Sequence, residues 1–196
     1  MPCFSIITPT ICRRSLVDTL NSVGRQMARY DEHIVVSDGA PDYWVRDEIS
    51  ARARTTLLHT ERISGYGNVQ RDLGIEAATG DYLIFVDDDD MLVEGALNVI
   101  RPLVAENPGA MLLFKTRYEG YNAIPHGQVL WRTPVIYNGN VGTGMIVAPR
   151  MLTMPKWSIG DGRLYEADFH FIKAMADMVP VVWRDEVIQN AYHRNL

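Results

Sequence analysis

The chain of 196 residues is 47% hydrophobic and 22% charged, an ordinary globular composition that fills one sizeable core without a structural metal or disulfide. Its formal charge of -5 argues against nucleic acid as a general partner, since that requires clustered Lys and Arg to displace counterions from phosphates. The two cysteines, Cys3 and Cys12, make neither a disulfide framework nor a metal cluster, no apolar run approaches the ~20 residues of a membrane span, and Met1 to Ile7 lacks a signal-peptide pattern, so a soluble cytoplasmic protein is expected.

Apolar runs alternate with helical patterns through the first third, the mark of βα units and a mostly parallel sheet. Phe4 to Thr8 reads as a strand ended by Pro9-Thr10, and Leu16, Leu20, Val23 and Met27 recur at helical spacing over 13–27. His33 to Ser37 is a second strand, broken by Asp38-Gly39-Ala40-Pro41, and Thr55 to His59 a third. A helix is predicted between Gly65 and Gly80. Tyr82-Leu83-Ile84-Phe85-Val86 is the most apolar short run in the chain and reads as a central strand buried on both faces.

Helical periodicity returns over 92–104 and closes at Asn107-Pro108-Gly109. Beyond residue 110 the chain reads as a strand at Met111 to Lys115, irregular hairpins and loops to Pro134, and a glycine-bearing loop from Val141 leading into a strand that reaches Val147. A helix from Phe169 to Met178 ends at Pro180, and Val181 begins the last strands. The expected fold class is α/β, one domain over 1–196 with a central mostly parallel sheet flanked by helices. Its halves are 1–106 and 107–196.

Asp87-Asp88-Asp89-Asp90 follow the central strand directly. Adjacent like charges repel, and each needs solvent, a donor or a cation. The helix after them favours negative charge at its N-terminus, but that explains one or two carboxylates, not four. In open parallel sheets ligands bind beyond the carboxyl ends of the strands, and hard oxygen ligands suit Mg2+ or Mn2+ shared with substrate phosphates. An acidic protein can hold a phosphate ligand by this means.

The string from Gly80 to Asp90 resembles the DxD segment of GT-A fold, family 2-type glycosyltransferases, which usually reads G-(D/E)-Y-(I/L)-x-F-L-D-x-D-D. Phe4 to Thr10 resembles that family's first strand and loop, Ile34 to Gly39 its I-V-V-D-D-G segment, and Gly67 to Gly74 its G-x-x-x-A-R-N-x-G segment. The four occur in the family's order, which is more specific than any one alone.

The resemblance implies a nucleotide-diphospho-sugar donor, a UDP-sugar by preference, and a glycan or other hydroxyl acceptor. Asp38 is then expected to bind the nucleobase, with Thr8 and Pro9 lining its pocket, although Asp38-Gly39 is also a good turn and Thr8-Pro9 a strand terminator. Arg71 is a candidate for the diphosphate. Asp87 is assigned to ribose or metal, Asp89 to metal, and Asp90 to metal or sugar. Asp88 joins the nucleotide-sugar set but occupies the family's variable position.

An inverting transferase takes its base from an E-D pair opening a helix, and here Glu166 and Asp168 are separated by Ala167. Aligning on Asp168 keeps Phe171 and Ile172 on apolar positions, so Asp168 is the first candidate base and Glu166 the second. Both also suit a helix N-terminus. Gly144 belongs to a loop that resembles the one beside the donor sugar, and His193 falls where the fold often completes its metal shell. Trp131, Trp157 and Tyr121 suit either sugar stacking or core packing. The rival readings are a non-catalytic nucleotide- or sugar-binding module and a sugar nucleotidyltransferase, whose glycine-rich loop after the first strand is missing from Pro9 to Arg14.

Overall fold

The structure, a computed structural model, describes residues 1–119, 126–162 and 164–192. Its elements in chain order are β1 (Phe4–Thr10), α1 (Leu16–Gly24), β2 (Glu32–Asp38), α2 (Tyr43–Ser50), β3 (Thr55–Thr60), α3 (Asn68–Ala77), β4 (Tyr82–Phe85), β5 (Met91–Leu92), α4 (Ala96–Glu106), β6 (Met111–Glu119), β7 (Gln128–Leu130), β8 (Ile146–Pro149), α5 (Ala167–Ala176) and β9 (Val181–Tyr192). Among the described residues no helix is long and apolar enough to cross a membrane.

The strands form one nine-stranded sheet in the order β3-β2-β1-β4-β8-β6-β9-β5, with β7 added to β6. β1 to β4, β6 and β9 point one way, while β5, β7 and β8 run against them. The parallel half reflects residues that are apolar on both faces, as a sheet covered by helices on each side requires. Ile7, Ile34, Leu83 and Phe85 join Phe171 and Met175 of α5 on one face. Phe4, Ile6 and Ile84 pack with Leu97 and Ile100 of α4 on the other. There Val35 also meets Leu16 and Leu20 of α1 and Val45 and Ile49 of α2.

Three local departures from expectation have physical causes. β1 continues through Pro9 because β4 pairs only to Ile7 and Phe85. The Ile7 carbonyl accepts from Val86 N–H on that side, so by alternation the missing donor of Pro9 faces a side where the ladder has ended. The helix expected from Leu92 starts at Ala96, because Met91 and Leu92 pair with Asn190 and Gln189 of β9. Helix α2 was not anticipated, since only Val45 and Ile49 of its residues are buried.

The carboxyl ends of β1, β2, β4, β6 and β9 share one edge of the sheet, and antiparallel β8 begins there after a 3-10 turn at Thr143–Met145. Close packing of α3 on β1 brings the loop before that helix over this edge. A Cβ on Gly74 would stand 2.5 Å from Ile7 Cγ2, so only glycine fits there without displacement.

Candidate functional site

A cleft of about 870 Å³ opens along this edge, lined by Pro9, Thr10, Arg13, Asp38, Arg71, the four aspartates, Thr116, Gly142, Gly144, Glu166 and Asp168 among others. Its position is the one open α/β sheets use for ligands. Among the described residues, every predicted catalytic, nucleotide-sugar or metal residue lines it except Thr8.

Thr8 does not reach the cleft because both faces of β1 are covered. It is fully buried, and its Oγ1 lies 2.9 Å from His33 Nε2. Burial holds His33 at a pKa of about 3, with Arg52 adding to the effect, so the ring is neutral at ordinary pH. His193, like Tyr121, lies outside the described residues.

The aspartates divide into two kinds. Asp87 and Asp89 each face an arginine: Arg71 Nη2 is 2.5 Å from Asp87 Oδ1, and Arg13 Nη1 is 2.6 Å from Asp89 Oδ2. Asp90 is held by the chain itself, and Asp88 by the chain together with Arg13, whose Nη1 lies 3.4 Å from Asp88 Oδ1. Asp88 Oδ2 accepts from Thr10 Oγ1 at 2.7 Å and from the Ile11 N–H at 3.1 Å, tying the acidic loop to the end of β1. Asp90 accepts from Gln189 Nε2 and from the Tyr192 N–H, each at 2.9 Å, and so clasps the end of β9.

Burial raises the pKa of all three later aspartates. Asp89 is pushed up to about 6, with Asp87 and Asp88 adding to burial and Arg13 opposing it. Burial also raises Asp88 against Arg13 and its hydrogen bonds. Asp90 is raised well above the carboxylate range by burial, then by Asp87 and Asp89.

Asp38 ends β2 and accepts from the backbone N–H groups of Ile63 and Ser64 at 2.7 and 2.9 Å, and from Gln70 Nε2 at 3.1 Å. It thus fixes the loop forming one wall of the cleft. Arg71, buried on α3, donates from Nη1 to the Tyr66 carbonyl at 2.8 Å and lies over the Trp157 ring at 4.9 Å. Its guanidinium is committed to Asp87 and to this loop.

On the opposite wall Glu166 occupies the N-cap of α5 and Asp168 its first turn. Burial raises the Asp168 pKa, opposed by the Phe169 N–H and by Arg71 and reinforced by Asp87. A Cβ on Gly142 would be 3.4 Å from Asp168 Oδ2, so the glycine loop and this carboxylate form one surface.

Trp157 and Trp131 belong to the core. Trp157 is fully buried and stacks on Phe171 at 4.4 Å, and Trp131 meets Trp183 edge-on. Trp157 borders the cleft from within that core, and the exposed aromatics lining it are Tyr66 and Tyr165, 62% and 64% exposed and in edge contact at 5.3 Å. Nothing in their spacing marks them. Arg13 was discoverable, because four carboxylates demand positive charge and it follows the first strand directly.

A model of the glycosyl transferase family 2 matches residues 5–145. A GalNAc(5)-diNAcBac-PP-undecaprenol beta-1,3-glucosyltransferase of Campylobacter jejuni is 28% identical over 109 residues, covering 51% of this chain and 34% of that protein. The amylovoran biosynthesis glycosyltransferase AmsB of Erwinia amylovora is 30% identical over 94 residues, covering 44% and 31%. The chain thus spans about a third of the length of these curated relatives. Crystal structures of S. aureus TarS 1-349, alone and in complex with UDP-GlcNAc, superpose with TM-scores of 0.75 and 0.72 at 20% and 19% identity. They cover 96% and 98% of this chain, and 60% and 59% of TarS 1-349. TarS therefore shares the fold. The family match, which spans most of the chain and ends within the glycine loop of the cleft, identifies this chain as a member of glycosyl transferase family 2.

Proposed function

We propose that this chain transfers a hexosyl group from a UDP-sugar to an acceptor hydroxyl, with inversion, assisted by Mn2+ or Mg2+. The observation that carries the reading is the single cleft in which the arginine-paired Asp87 and Asp89 face Asp168 and the glycine loop. A family relative named as a glucosyltransferase and a TarS structure solved with UDP-GlcNAc support the donor class.

The residues present fit a divalent cation shared with a diphosphate. Among the described residues no group of three or more His, Cys, Asp or Glu is placed to hold a metal ion, but Asp87 and Asp89 offer hard oxygens in the cleft. Mg2+ commonly takes only one or two protein carboxylates, and substrate phosphates supply further oxygens. Burial, and then Asp87 and Asp88, raise the Asp89 pKa against Arg13, and a cation beside it would favour the charged carboxylate. When bound, the cation would neutralise the charge that builds on the departing diphosphate.

Asp38 and the loop it fixes form the nucleobase wall, and Arg71 holds Asp87 toward the diphosphate. Asp168 takes the proton of the acceptor hydroxyl as that oxygen attacks the anomeric carbon and the bond to the diphosphate breaks, and burial raises its pKa in the direction that strengthens a base. Glu166 is the second candidate for this proton. Thermal unfolding with UDP, UDP-glucose and UDP-GlcNAc, each with and without Mn2+, tests the reading. Metal-dependent stabilisation that disappears in Asp89→Ala is expected. Absence of stabilisation by every nucleotide with Mn2+ overturns it.

A further inference from the structure

The floor of the cleft holds a polar group that its own structure leaves unsatisfied. Thr116 of β6 is 1% exposed and Gln189, its register partner on β9, is 0% exposed. Gln189 Nε2 donates to Asp90, but neither Thr116 Oγ1 nor Gln189 Oε1 has a hydrogen-bond partner. Buried hydroxyls are nearly always paired, and an exception calls for a ligand or an ordered water.

Backbone alone stands close against them. A Cβ on Gly144 would stand 2.8 Å from Gln189 Nε2 and 3.1 Å from Thr116 Oγ1. Any other residue would therefore displace Gln189 from Asp90 or cover the Thr116 hydroxyl. Thr116 and Gly144 both line the cleft, on the side of the glycine loop that adjoins Asp168. Thr116 lines the cleft and Gln189 lies behind it, so the Thr116 hydroxyl, which can both give and take a hydrogen bond, is the group that meets a ligand's own hydroxyl. A sugar supplies such a hydroxyl.

We propose that Thr116, with Gln189 behind it, is a specificity-determining pair that reads one hydroxyl of the sugar carried by the nucleotide. The inference rests on the nucleotide-sugar reading above. Asp90 serves as a positioning residue, because its bond to Gln189 Nε2 leaves the Gln189 carbonyl oxygen turned to accept.

Thr116→Val removes the hydroxyl and keeps the shape. Because that hydroxyl has no partner in the free protein, the variant should unfold at the wild-type temperature or slightly above it. Titration calorimetry with Mn2+ and UDP, UDP-glucose, UDP-galactose, UDP-GlcNAc and UDP-GalNAc then measures that contact. The best-bound UDP-sugar should weaken by about three- to tenfold, the worth of one neutral hydrogen bond, while UDP binds as before. Selectivity among the epimers should fall with it.

Equal weakening of UDP and UDP-sugars, unchanged affinity for every UDP-sugar, or a marked fall in unfolding temperature would each overturn the proposal, the last by showing that the hydroxyl serves the fold. If the wild type binds no nucleotide at all, the reading beneath the proposal fails first. That outcome is distinct from wild-type binding that Thr116→Val leaves intact.

Discussion

His33 makes the stability of this chain depend on pH in a direction and amount that follow from its surroundings. The ring is buried against Thr8, and burial with the nearby Arg52 lowers its pKa from 6.5 to about 3. The unfolded chain therefore binds a proton that the folded chain refuses, and stability is lost as pH falls from 6.5 toward 3. The whole interval is worth about 5 kcal/mol at 1.36 kcal/mol per pH unit. Between about pH 7.5 and about pH 5 the folded ring stays neutral while the unfolded one becomes charged, a loss of about 2 kcal/mol.

Urea unfolding followed by tryptophan fluorescence at those two pH values, for the wild type and for His33→Gln, measures it. The loss should be about 2 kcal/mol larger in the wild type, whatever the substitution does to absolute stability. Asp89, raised to about 6, acts in the opposite sense over the same window. It is present in both proteins and cancels in the difference. Equal losses in the two proteins would refute the assignment of a buried neutral imidazole.

Two further outcomes test the walls of the cleft. Asp168→Asn should retain Mn2+-dependent binding of UDP while the rate of sugar transfer falls about 10²- to 10⁴-fold, the usual worth of a general base; calorimetry with UDP and a transfer assay read the two effects separately. Asp87→Ala should destabilise the free protein by about 3 kcal/mol or more and Arg71→Met by less. The Arg71 side chain is only 5% exposed against 34% for Asp87, so the first change strands a buried cation and the second leaves a carboxylate that water reaches. Urea unfolding with the opposite ranking would contradict this account.

The parts legible in the sequence were those whose cause is local. Tyr82 to Phe85 is buried on both faces, and its uninterrupted apolar character announced a central strand. The collinear segments before it located the cleft. What stayed hidden depends on distant partners or on faint patterns. Helix α2 buries only Val45 and Ile49, too few for a helical face to stand out. The role of Asp88 is set by Thr10, 78 positions away, and that of Asp90 by Gln189 and Tyr192, 99 and 102 positions away. Thr8 was expected at the pocket from the family resemblance, but β1 runs on through Thr10, and the first side chain to line the cleft is Pro9.

Charge balance in the acidic loop explains why four aspartates are tolerated and why they are not equivalent. Asp90 spends its oxygens on amide and backbone donors, and Asp88 gives one oxygen to a hydroxyl and a backbone donor while Arg13, shared with Asp89, stands 3.4 Å from the other, so both fix the loop between β1 and β9. Asp87 is matched by Arg71, itself pinned by the Tyr66 carbonyl and by Trp157. Asp89 is matched by Arg13, whose side chain is 29% exposed and stands on the loop after β1. A partly exposed arginine on a loop can exchange a carboxylate for a phosphate at less cost than a buried one, because water compensates part of both states. A buried arginine held at three points is less free to do so. Of the two carboxylates proposed to share a cation with the diphosphate, Asp89 is thus the one whose present partner, Arg13, would be the freer to turn toward phosphates, with Asp88 holding its other side. Asp87 keeps its arginine, so a cation shared by the two would have one rigid ligand and one adjustable one.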